Sequence, residues 1–184
     1  MTTFADKPTL RGDLVVLRPI VGSDAEHMWA DLGDDEATRM TGSHGTFERH
    51  QIDEWCASRA AQTDRLDLAV VERASGSWVG EVVINDWDAD NRSCGFRIAL
   101  GPAGRNRGLG TEATRLIVDY VFDVIDDPPI NRLALEVYDF NRRGLAVYEK
   151  VGFRREGVLR QALSWDGQFH DAHMMSIVRA DRGR

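Results

Sequence analysis

Gly101-Pro102-Ala103-Gly104-Arg105-Asn106-Arg107-Gly108-Leu109-Gly110-Thr111-Glu112-Ala113 joins a strand-like run, Ser93 to Leu100, to the clearest helical pattern in the chain. From Leu109 onward, Ala113, Leu116, Ile117, Tyr120, Val121, Val124 and Ile125 recur at helical spacing, one apolar face held for about four turns. Glycines between a strand and a helix let the backbone turn tightly with its N–H groups pointing inward. The helix start adds its own free N–H groups and dipole, so the segment suits a phosphate or pyrophosphate. Glycine before a helix is also plain connection chemistry, and the bare pattern leaves both readings open. Two nucleotide sites are excluded. A Walker A loop needs Gly-Lys-Ser/Thr, and this loop has no lysine. A dinucleotide fingerprint should follow the first strand of a βαβ unit, whereas this loop follows a meander in mid-chain.

Working outward, three strand-like runs precede the loop: Leu66 to Val71, Trp78 to Ile84 and Ser93 to Leu100. Turns at Ala74-Ser75-Gly76-Ser77 and Asp88-Ala89-Asp90-Asn91 make them an antiparallel meander. Before them, Leu14-Val15-Val16-Leu17 reads as a strand ended by Arg18-Pro19. Ser23-Asp24-Ala25-Glu26 fits a capping box opening a helix through Met28, Trp29 and Leu32. Thr41-Gly42-Ser43-His44-Gly45 is a loop by composition, and Ile52, Trp55, Cys56 and Arg59 mark a second helix. After the long helix, Asp126-Asp127-Pro128-Pro129 is a stop and Arg132 to Val137 a strand. Asn141 to Val151 is a helix with Gly152 as its left-handed cap, and two strands near Phe153 to Leu163 and Phe169 to Val178 flank an Asp166-Gly167 turn. The order β-α-α-β-β-β-α-β-α-β-β predicts an α+β chain around a mixed sheet, one domain over residues 1–184.

The 184 residues are 42% hydrophobic and 29% charged, enough for a sizeable core. A net charge of −7 without a basic block argues against a nucleic-acid binder and mildly favours a cationic partner. No apolar run approaches the roughly 20 residues of a membrane span, and the first residues lack the order of a signal peptide. Cys56 and Cys94 lie far apart and outside any CxxC, which excludes a disulfide framework and a cysteine-rich zinc site. The expected setting is the reduced cytoplasm.

Arg105-Asn106-Arg107-Gly108-Leu109-Gly110 resembles the R/Q-x-x-G-x-G/A pyrophosphate loop of the GCN5-related N-acetyltransferases (GNAT family). Leu133-Ala134-Leu135-Glu136-Val137, then Asn141 and Tyr148-Glu149-Lys150-Val151-Gly152-Phe153, resemble that family's second signature. The order and spacing of the two pieces make the combination specific. The likeness covers nearly the whole chain, from Leu17-Arg18-Pro19 to Glu156-Gly157-Val158-Leu159-Arg160 and Asp166-Gly167…Asp171. It is nearest to the branch that includes the ribosomal-protein N-terminal acetyltransferases.

The resemblance implies a mixed, mostly antiparallel sheet with helices on both faces. Its fourth and fifth strands, here Ser93–Leu100 and Arg132–Val137, should splay apart to admit the pantetheine arm of acetyl-CoA. It implies that Ile98, Ala99 and Leu100 offer backbone groups to that arm, one N–H polarising the thioester carbonyl. Arg105, Asn106, Arg107, Gly108, Leu109, Gly110 and Thr111 should hold the pyrophosphate, mostly through backbone N–H. Asn141 should bond the cofactor arm, although a plain helix N-cap would look the same. Tyr148 matches the general acid that returns a proton to the thiolate, although an amphipathic helix also places tyrosines in cores. Glu136, twelve residues before Tyr148, stands where the N-terminal branch has a base acting through water; an ordinary strand-face charge is the alternative.

Other candidates rest on residue type. Glu81 and Asp86 are carboxylates that would orient or deprotonate an amine, and Trp87 and Trp165 would wall a substrate groove. His170 and His173 are only an i, i+3 pair, and no metal is expected. The expected activity is acetyl transfer from acetyl-CoA to a primary amine by direct attack in a ternary complex. An α-amino group with pKa near 8 costs about 1.4 kcal/mol to deprotonate at pH 7, against roughly 4–5 kcal/mol for a lysine-like nitrogen near 10.4. A weakly placed base suits the first, which puts protein N-termini ahead of small cationic amines such as polyamines or aminoglycosides. A non-catalytic CoA-binding regulatory module is the rival from another class. Dimers are frequent among similar proteins, so the resemblance implies a homodimer, while the sequence itself leaves the assembly open.

Overall fold

The structure, a computed structural model, describes residues 4–182. Its strands are β1 (Leu10–Arg11), β2 (Val15–Pro19), β3 (Leu66–Glu72), β4 (Trp78–Asp88), β5 (Ser93–Leu100), β6 (Arg132–Tyr138), β7 (Arg154–Trp165) and β8 (Gln168–Val178). Its helices are α1 (Ala25–Leu32), α2 (Asp35–Thr41), α3 (Arg49–Ser58), α4 (Leu109–Asp119) and α5 (Arg142–Val151). The strands form one sheet in the order β1-β2-β3-β4-β5-β6-β8-β7, antiparallel except for the β5–β6 pair.

The sheet is covered on both faces. Leu66, Leu68 and Val70 of β3 pack with Val82, Ile84, Leu133 and Leu135 into the larger core, beneath Leu109, Ala113 and Ile117 of α4 and Leu145 of α5. Ala69 and Trp78 face the other way, onto Ala25 of α1 and Ile52 and Cys56 of α3. Burial on both faces leaves Leu66–Val70 buried without alternation, the buried Asp67 being paired with Arg65 at 2.6 Å. The apolar stripe of α4 continues through one π-helical turn, Tyr120–Val124.

The feature that decides function lies at mid-sheet. β5 and β6 share three parallel pairs, Ser93 with Arg132, Cys94 with Leu133 and Gly95 with Ala134, and then diverge. Phe96–Leu100 and Leu135–Tyr138 are thereby unpaired with one another. These are the fourth and fifth strands read from the sequence; the two-residue β1, too short to leave a pattern, moves the count on by one.

Two local readings need correction. Ser23 does not cap α1. The buried Asp24 instead accepts from the Val21 N–H at 2.9 Å and pairs with Arg18 at 2.7 Å. A further helix, α2, stands between the two expected ones; Asp34 caps it by accepting from the Ala37 N–H at 3.2 Å, and Gly42 ends it at φ 65°. Gly152 closes α5 at φ 113°, as read.

Candidate active site

The splay opens a cavity of about 970 Å³ that passes through the sheet. One side is set by α4. A Cβ on Gly110 would lie 2.9 Å from Leu100 Cδ1 and 3.9 Å from Ile98 Cδ1, so these two side chains point toward that helix. Strand alternation then turns Arg97 and Ala99 to the opposite face. On β6, Leu133, Leu135 and Val137 join the core under α4 and α5, so Ala134, Glu136 and Tyr138 also face the far side. That far side is closed by the end of α2, where Met40 and Thr41 line the cavity and a Cβ on Gly42 would meet the Tyr138 hydroxyl.

The main chain of β5 divides in the same manner. The Gly101 N–H donates to Val79 of β4 at 3.0 Å. Alternation therefore turns the backbone groups of Ala99 toward β4 and those of Ile98 and Leu100 into the splay. Leu100 already uses its carbonyl, which accepts from Arg105 Nε at 3.0 Å.

At the α4 end, Gly108 starts the helix at φ 80°, and no side chain caps it. The first-turn N–H groups have no partner within the helix, and the cavity reaches them at Gly108, Gly110 and Thr111. An uncapped, glycine-backed helix start on a deep cavity fits a diphosphate. Leu109 is buried in the core instead, and Arg107 turns away to Glu72 and the Ala103 carbonyl. Arg105 lines the cavity but is held by Asp34 and Glu36. Arg143, which sequence reading missed, also lines it and shares Glu36. It lies two residues past the second signature's Asn141, and only the fold brings it to the loop.

On α5, Asn141 Oδ1 caps the helix by accepting from the Gly144 N–H at 2.9 Å, leaving its amide N–H groups on the cavity. Tyr148 reaches the cavity from a buried ring, edge-on to Phe96 at 6.3 Å and to Phe153 at 5.7 Å. Burial pushes its phenol up to about 12. Glu136 is exposed on the far side of the opening. Asp86 lines the cavity at φ 52°, near Gly95 and the Asn85 amide, whose buried Oδ1 has no partner among the described residues.

The remaining candidates fall outside the cavity lining. Glu81 sits in mid-β4 with its Oε2 shielded and without a partner among the described residues; burial pushes its carboxyl up to about 7, Asp67 adding to the effect and Arg97 opposing it. Trp87 packs edge-on against Phe4 at 5.9 Å. Trp165 meets His44 at 5.0 Å. His170 and His173, three apart on one strand, project to opposite faces and do not converge.

A strand pair that opens onto an uncapped helix start, with a phenol on one side and a carboxylate on the other, defines an acyltransferase of the acyl-CoA-dependent class. Residues 15–154 match the acetyltransferase (GNAT) domain family, and the chain belongs to it. YoaA, an N-acetyltransferase of Bacillus subtilis by name, is 26% identical over 94% of this chain and 97% of its own. The B. subtilis protein named "Putative ribosomal N-acetyltransferase YdaF" is 27% identical over 76% of this chain and 73% of its own. The solved structure of Vibrio cholerae spermidine N-acetyltransferase in complex with CoA and spermine shares the fold, with a TM-score of 0.84 at 17% identity, covering 94% of this chain and all of that one. The protein is a GNAT N-acetyltransferase, a family that uses acetyl-CoA.

Proposed function

We propose that the chain acts as a single domain moving an acetyl group from acetyl-CoA to a primary amine, first of all a protein N-terminal α-amine. The observation that carries this reading is the cavity crossing the sheet from the uncapped start of α4 to Glu136. Donor and acceptor can enter from opposite faces and meet in the splay, which favours direct attack over a covalent enzyme intermediate.

Acetyl-CoA, when bound, supplies a thioester carbonyl open to attack. The N–H groups of Gly110 and Thr111 would hold its diphosphate, with Gly108 letting the backbone approach and Asn106, Arg105 and Arg143 at the rim. Backbone groups of Ile98 would hold the pantetheine arm and the carbonyl oxygen, and Asn141 would donate its amide N–H groups to that arm. Glu136 takes, through water, the proton that the amine loses as its nitrogen bonds to the acyl carbon. Tyr148 directs its O–H to the departing sulfur.

The easier deprotonation of an α-amine and the likeness to YdaF support the N-terminal acceptor. Small cationic amines form the second reading, favoured by the net charge of −7 and the shared fold with the spermidine enzyme. Two unpaired, buried thiols suit the cytoplasm. The twelve-residue edge strand β7, with Val158 and Leu159 both exposed along it, supports a homodimer through that edge. The purified protein should release free thiol from acetyl-CoA when given short peptides with free N-termini. If CoA binds but no amine in a panel of peptides, polyamines and aminoglycosides gives thiol release, the chain is a CoA-binding module instead.

A further inference from the structure

Four arginines line the cavity: Arg97, Arg105, Arg132 and Arg143. Three are already paired. Arg105 and Arg143 are held by Asp34 and Glu36, and Arg132 by Glu156 and the Ser176 hydroxyl. Arg97 is exposed and makes no ion pair or hydrogen bond among the described residues. Its charge reaches Glu81 strongly enough to favour that carboxylate's ionised form, yet the two groups form no ion pair.

The position of Arg97 is set by the register. The last β5–β6 pair is Gly95 with Ala134, and two residues further along each strand stand Arg97 and Glu136. Both point to the face away from α4 and α5, so they flank the acceptor-side mouth of the splay. Arg97 immediately precedes Ile98, whose backbone turns into the splay. An amine placed between Glu136 and Ile98 therefore has a free guanidinium beside it, within the reach of a substituent one or two bonds from the nitrogen-bearing carbon.

We propose that Arg97 selects acceptors carrying a carboxylate next to the reacting amine. A planar guanidinium without a partner, in a concave site, matches a carboxylate by two parallel N–H···O bonds. It also opposes a polycation, which Glu136 and Asp86 alone would attract. The carboxylate has two sources: the side chain of an N-terminal Asp or Glu in a peptide, or the α-carboxylate of a free amino acid. This inference rests on the acetyl-transfer reading and narrows its acceptor.

The test uses acceptor pairs that differ in one charge: a peptide beginning with Asp against the same peptide beginning with Asn, and alanine against alaninamide. Rates are compared at equal free-amine concentration, with spermidine as the cationic control. Wild-type kcat/KM should favour the carboxylate member of at least one pair by about ten- to hundredfold, the range of a charged hydrogen-bonded contact. The pair that shows the preference identifies the source. Arg97→Gln should bring that ratio near one, and Arg97→Glu should move the preference toward spermidine. No preference in either pair, spermidine as the best wild-type acceptor, or a ratio unchanged in Arg97→Gln overturns the proposal. Calorimetric titration of the CoA-loaded protein with the same pairs separates the two levels. Tighter binding of the carboxylate member without turnover of any amine upholds Arg97 and overturns acetyl transfer.

Discussion

Tyr148 holds its proton tightly, since burial among Phe96 and Phe153 pushes it up to about 12, while an ordinary thiol sits near 8.5. Full transfer from such a phenol to a thiolate is uphill, so in the proposed reaction the hydroxyl would contribute first as an O–H···S hydrogen bond, available in that form at every pH where the amine is free. Tyr148→Phe keeps the ring packing; turnover should fall by about 10²–10⁴-fold with the melting temperature and CoA affinity nearly unchanged, measured by thiol release and thermal melts. Glu81 gives the opposite lesson. Its raised pKa means the folded state binds more protons than the unfolded chain between about 4.5 and about 7. Stability therefore falls as pH rises through that window and stays lower above it. Glu81→Gln should remove the penalty, stabilising the protein on the order of 2–3 kcal/mol at pH 8 and little at pH 5, as urea melts at the two pH values will show. The sequence marked Glu81 as a carboxylate inside the Trp78 to Ile84 run but held no sign of its depth. Burial on both faces of the β3–β4 pair comes from helices distant in the chain. Trp87 likewise shows an aromatic beside a turn, and only Phe4 explains it. Asn141 and Tyr148 were legible because the motif fixes their element and offset.

At the scale of elements, α2 is the piece the sequence concealed. Its seven residues, Asp35–Thr41, are too few to show a helical apolar face, and none is buried. Its effect is electrostatic. Asp34 and Glu36 at its start neutralise Arg105 and Arg143 beside the glycine loop, which a pattern of loop residues cannot reveal. A diphosphate arriving at the start of α4 must compete with Glu36 for those guanidinium groups. Glu36→Gln keeps the helix and its Asp34 cap, frees Arg143 and leaves Arg105 on Asp34 alone. CoA should then bind about three- to tenfold tighter by calorimetry, and the gain should shrink as salt rises to 0.5 M. The meander, the long helix and the α5 cap were readable because each is written in a contiguous stretch with its own period or stop signal.

For the whole molecule, the splay divides the sheet into β1–β5 and β6–β8, held together across three residue pairs and by α4 and α5 beneath. The parting itself leaves no local mark in the sequence, since Ser93–Leu100 and Arg132–Tyr138 both read as ordinary strands; only the family likeness led to it. A ligand whose arm lies between Ile98–Leu100 and Leu135–Tyr138 adds the contacts that the missing pairs would have made, and it binds the folded state alone. Saturation at 100 times Kd then contributes about 2.7 kcal/mol. For a chain of this size that corresponds to a rise in melting temperature of roughly 5–10 °C. Pantetheine lacks the diphosphate proposed to bind at the start of α4, so it should produce a much smaller rise. Hydrogen exchange supplies the local measure. Acetyl-CoA should slow the amides of Ile98 and Leu100, which face the splay, more than that of Ala99, which the β4 ladder already protects. Equal slowing at all three would mean that the ligand rigidifies the sheet from elsewhere, and the donor site would then have to be moved out of the splay.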